Sequence, residues 1–71
     1  MKKINIRLKQ LLNERGITQL QLSQSTGIRP NAISNLCRNY VDRLTIDHLE
    51  RICTELKIDN ISELIEVSEE E

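Results

Sequence analysis

Three residues punctuate the middle of the chain so closely that few folds remain open to it. In TQLQLSQSTGIRPNAISNLCRN, residues 18–39, Thr18 can cap a helix while Gln21 reaches back to it. Gly27 can end that helix in the left-handed conformation, and Pro30 can open the next one where a missing N–H has no intrahelical partner to lose. Nine positions separate Thr18 from Gly27, so the spacing predicts a short second helix, with Ile17 and Leu22 able to staple its start. A third helix over about Pro30–Arg38 buries Ile33 and Leu36. Its other face then carries Asn31, Ser34, Asn35 and Arg38. Asn and Ser are poor helix formers because their side chains compete for nearby backbone groups. Their presence there asks for a reason other than helix stability.

The remaining segments also read as helices. Ile4, Leu8, Leu11 and Leu12 fall at helical spacing, which predicts a first helix from about Ile4 to Glu14 ended by Gly16. After a loop at Asn39–Leu44, a fourth helix is expected with Thr45 as its cap and Ile46, Leu49, Ile52, Cys53 and Leu56 as its buried stripe. Asn60 followed by Glu63 suggests a capping box for a short fifth helix with Ile61, Leu64 and Ile65 inward. KKINIRL, at residues 2–8, can be read as a strand, but the helical stripe is preferred. The expected fold is therefore all-α, with residues 1–66 forming one domain and residues 67–71 an acidic, disordered tail.

Composition narrows the functional classes. The 71 residues include ten Leu and ten Ile but no Phe or Trp, and Tyr40 is the only aromatic. A stacking platform for single-stranded bases needs several aromatic faces. No apolar run approaches the roughly 20 residues that span a bilayer, and MKKINIRLKQ is too polar for the apolar stretch of a signal peptide, so a cytoplasmic location is expected. Cys37 and Cys53 do not make a disulfide framework. With His48 they still lack a fourth metal ligand at close spacing, so both are read as thiols and no metal or cofactor is expected. One His, no Gly-rich phosphate loop and no paired carboxylates argue against an enzyme.

The formal charge of −1 conceals an uneven distribution. Residues 1–44 hold eight basic side chains against two acidic ones, a net of +6. Residues 45–71 hold two basic against nine acidic, a net of −7. A basic half paired with an acidic one is a pointer to polyanion binding.

Two short helices joined by a Gly-containing turn make a helix-turn-helix, whose second helix can enter the DNA major groove. Reading bases there needs short side chains that both donate and accept. An Asn amide can pair bidentately with the N6 and N7 edge of adenine. Asn31 and Asn35 lie on one face with Ser34 beside them, although Ser34 can instead bond the carbonyl four residues back. Thr18 and Gln19, at the start of the second helix, are candidates to meet a phosphate. Arg29, Arg38 and Arg43 are further candidates for the backbone, and Tyr40 is expected to pack its ring under the loop with its hydroxyl on a phosphate.

The same stretch resembles the helix-turn-helix of the phage repressor and Cro family, the Xre-type regulators. The resemblance rests on Thr18, Gln19, Leu22, Ser23, Gly27, Ile28, Ile33, Ser34 and Leu36, and RLTIDHLERICTEL extends it toward a small single-domain bacterial subgroup. It implies a five-helix, lambda-repressor-like domain that binds double-stranded DNA, commonly as a homodimer on a palindromic site. Under that resemblance Gln19 contacts phosphate, and Asn31 and Asn35 face the bases. The sequence departs from the pattern at Arg29, where a Ser or Thr cap is usual, and at Pro30, Cys37, Asn39, Tyr40 and the Asp59–Asn60 turn. An alternative reading is an antitoxin or adaptor that engages a protein partner through its acidic C-terminal half.

Overall fold

The computed structural model describes residues 1–69. The elements run β1 (Lys2–Ile6), α1 (Leu8–Arg15), α2 (Gln19–Thr26), α3 (Pro30–Cys37), α4 (Ile46–Leu56), a 3-10 turn at Ile61–Glu63, and β2 (Ile65–Glu69). The architecture is mostly helical, with four α-helices and one two-stranded antiparallel sheet among the described residues.

The sheet corrects the all-α, five-helix expectation. β1 pairs with β2 in the register Lys2↔Glu69, Ile4↔Val67 and Ile6↔Ile65. Ile4 and Ile6 alternate with Lys3 and Asn5, and Ile65 and Val67 alternate in the same way. Branching at Cβ suits such positions to a pleated surface. The ladder continues into the Arg7 N–H, which donates to the Leu64 carbonyl at 2.6 Å and so holds the chain extended up to the start of α1. Ile4 therefore belongs to no helical stripe and is 56% exposed. The fifth helix is replaced by the 3-10 turn. Asn60 does cap it, accepting from the Ser62 N–H at 3.0 Å, but the chain then turns into β2 and Ile61 stays half exposed. Val67, Ser68 and Glu69, expected in a disordered tail, form the end of β2, whereas residues 70 and 71 of that tail lie outside the described residues.

The helical punctuation follows the sequence closely. Gly16 and Gly27 cap α1 and α2 with φ of 66° and 76°, in the left-handed region that a side chain enters only at a cost. At the start of α2 the Gln21 N–H donates to Thr18 Oγ1 at 3.0 Å and the Thr18 N–H donates to Gln21 Oε1 at 2.8 Å, a complete capping box. Thr18→Ala is expected to cost about 0.5–2 kcal/mol, read as a lower urea midpoint with an unchanged denaturant slope. Thr45 differs. It holds the extended conformation ahead of α4 but makes no side-chain cap bond.

Leu8, Leu22, Ile33, Ile52, Leu56 and Leu64 are the largest fully buried side chains, so every helix, together with the turn into β2, feeds one core. Ile46, expected in the α4 stripe, is instead 67% exposed, while Leu49 and Cys53 are half-buried. Polar residues lock the joints. Ser23 donates to the Ile28 carbonyl across the α2–α3 turn, Arg51 donates to the Thr26 carbonyl at 3.0 Å, and Arg15 donates to the Leu56 carbonyl at the end of α4.

Cys37 and Cys53 are free thiols. Burial pushes the Cys37 thiol above its usual range, with the Lys9 charge opposing the shift in part. The folded state thus favours the protonated thiol. The resulting stability is full below the ordinary thiol value of 9.0 and is lost as pH rises through the higher folded value. Urea midpoints measured across that alkaline range should fall more steeply for the wild type than for Cys37→Ala.

Candidate nucleic-acid interface

The turn at Gly27–Arg29 sets α3 against α2 through Leu22, Ile28 and Ile33, all buried. Pro30 occupies the first turn of α3, and Arg29 precedes it in the extended conformation without a side-chain cap bond. Once Ile33, Leu36 and Cys37 are buried, the helix period fixes the outer side. Asn31 is exposed, and Ser34 and Asn35 are half-buried beside it. Asn31, Asn35 and Arg38 follow at i, i+4 and i+7 and form one line along the helix.

That line is partly pre-organised. Arg38 Nη2 donates to Asn35 Oδ1 at 2.9 Å, which leaves the Asn35 amide hydrogens for another acceptor. The Arg38 guanidinium also lies 5.9 Å from the centre of the Tyr40 ring. Tyr40 does not pack under the loop as expected. It is 76% exposed, because Asn39 takes a left-handed conformation with φ of 58° and sends the following residue outward.

Asn39 has its own task. Its amide donates to the Ile6 carbonyl at 3.1 Å and its side-chain oxygen accepts from the Ile6 N–H, so the end of α3 is tied to β1 as though by another strand. Nothing in the helical periodicity signals this role. The one signal in the sequence is an Asn just past a helix end, where left-handed backbone is common.

At the start of α2 the capping box already occupies the Thr18 and Gln21 amides. The amides of Gln19 and Leu20 are the next donors in line at the positive end of the helix, and both side chains are exposed. Arg29 and Arg43 are exposed as well. Arg43 shares a cavity of about 190 Å³ with Asn35, Leu44, Thr45 and His48, where the loop meets the first turns of α4. The sequence raises His48 only as a metal ligand. The fold sets it instead beside two residues of the candidate interface. Among the described residues no cluster of three or more His, Cys, Asp or Glu side chains is placed to hold a metal ion, and no helix is long and apolar enough to cross a membrane.

The chain that forms this pair of short helices, the first cap-bonded and the second polar on its outer face, matches a known family model. That model, the Cro/C1-type HTH DNA-binding domain, covers residues 7–70. The chain belongs to this family. No curated protein and no solved structure matched it. As a Cro/C1-type domain, the chain is a DNA-binding module of the kind found in transcription regulators. The match begins at Arg7, so β1 lies outside it.

Proposed function

We propose that this Cro/C1-type domain binds duplex DNA sequence-specifically with α3 in the major groove, as a homodimer on a palindromic site, and acts as a small transcriptional repressor. The observation that carries the proposal is the line of Asn31, Asn35 and Arg38 on the outer side of a short helix whose inner side is fully buried. Asn31 and Asn35 read base edges with Ser34 between them. Thr18 and Gln19 meet one phosphate strand, while Arg29, Arg38, Arg43 and the Tyr40 hydroxyl hold the backbone elsewhere. The basic N-terminal half supplies the attraction.

Selection of bound sequences from random duplexes tests this reading. The expected result is an enriched site with two-fold symmetry and half-sites roughly 34 Å apart, one helical turn of DNA. A pool without enrichment after several rounds would remove sequence-specific regulation.

A further inference from the structure

The hairpin of β1 and β2 has one face that the core covers only at one end. On that face Ile6 is buried against the core and Ile65 is half-buried, but the next cross-strand pair, Ile4 and Val67, is 56% and 60% exposed. The pair after that is charged: Lys2 Nζ lies 3.3 Å from Glu69 Oε2, and the terminal amine lies 3.8 Å from Glu69 Oε1. Ile4 and Ile6 also line a cavity of about 240 Å³ with Val41, Asp42 and Leu44 of the loop after α3. The apolar strip therefore runs from the strands onto that loop. The opposite face is settled within the chain, with Asn5 donating to Ser68 at 2.8 Å and Arg7 lying 4.0 Å from Glu66.

We infer that this face is where a second copy of the chain docks, hairpin against hairpin, by stacking Ile4 on Val67 of the other copy. The inference gives the homodimer of the proposed function its surface and rests on that reading. The strand register itself makes the face complementary to its own copy. A two-fold axis running along the strands lays β1 of one copy over β2 of the other at the same height. Ile4 then faces Val67 of the second copy, Lys2 faces its Glu69, and both contacts occur twice, as closed symmetry requires. Face-to-face packing places the two sheets roughly 10 Å apart with this apolar pair between them.

The edges are less suited to the same purpose. Asn39 already occupies the Ile6 N–H and C=O on the outer side of β1. The β2 edge carries Glu66 and Glu69, and pairing it with a second β2 would crowd four carboxylates along one short ladder. The hairpin also joins α3 at the end away from Asn31. Asn39 fixes the hairpin just past the C-terminal end of α3, which lies about 9 Å along the helix from Asn31 at the standard rise.

Sedimentation equilibrium with charge-reversal variants tests the geometry. Lys2→Glu sets the new carboxylate against Glu69 of the other copy, and Glu69→Lys sets the new ammonium group against Lys2. Each variant alone should associate about tenfold more weakly than the wild type. An equimolar mixture of the two should recover wild-type association, because every cross-copy contact is again between opposite charges. Loss of the bond within the hairpin cannot produce that recovery. Val67→Asp should abolish association while leaving the far-UV circular dichroism spectrum unchanged.

A wild-type chain that stays monomeric at all concentrations would overturn the inference. So would a mixture no tighter than its components, or a Val67→Asp variant that associates like the wild type. Such a failure is distinguishable from failure of the DNA reading. A monomer still contacts a half-site through α3, and the effect of Asn31→Ala on that contact is measured independently.

Discussion

Ile33→Ala should bring the protein to the edge of unfolding at room temperature. Ile33 is completely buried beneath α3, where it meets the packing of α2 and the core. Removing its outer carbons costs about 2–5 kcal/mol, from lost burial and from the cavity left behind. A chain of this size holds roughly 3–5 kcal/mol in total, so one substitution consumes most of the margin. Circular dichroism should show a non-cooperative or strongly lowered melt. By contrast, Leu20→Ala, at a position 58% exposed, should shift stability by no more than about 0.5 kcal/mol. If the two variants melt alike, α3 is not anchored as the burial indicates.

The second large effect concerns binding. On the selected duplex, Asn31→Ala should lose about 1–3 kcal/mol and relax preference at one base position, as expected for removal of a bidentate base contact. Asn35→Ala should cost a similar amount, but its effect cannot be independent of Arg38, which donates to the Asn35 oxygen at 2.9 Å. A double-mutant cycle over Asn35 and Arg38 should therefore be non-additive. Arg43→Ala should instead weaken binding to all sequences and lower the salt dependence by about one counterion unit. Fluorescence anisotropy over a range of salt separates the two kinds of contact. If Asn31→Ala binds the selected site as the wild type does, α3 does not read it.

The sequence made the central helices legible because their signals are local. Thr18, Gly27 and Pro30 each act through backbone groups a few residues away, and the capping box and both left-handed glycines stand where spacing put them. The hairpin was not legible for the opposite reason. Lys2 and Glu69 meet only after the whole chain has folded, and neither five-residue strand can hold its conformation without the other. Ile4 also sits four residues before Leu8, so it satisfied the helical pattern as well as the alternating one. Tyr40 was misplaced because its direction depends on the left-handed turn at Asn39, which the sequence allows but does not require. Candidate contacts on α3 were readable from periodicity alone, whereas the place of His48 beside Asn35 and Arg43 depends on how the loop folds back.

The knot of two hydrogen bonds between Asn39 and Ile6 joins the end of α3 to the chain's opening residues. A shift of β1 is therefore passed directly to the end of α3. An affinity handle placed ahead of Met1 extends the same strand that anchors α3, so affinities should be measured both with and without it.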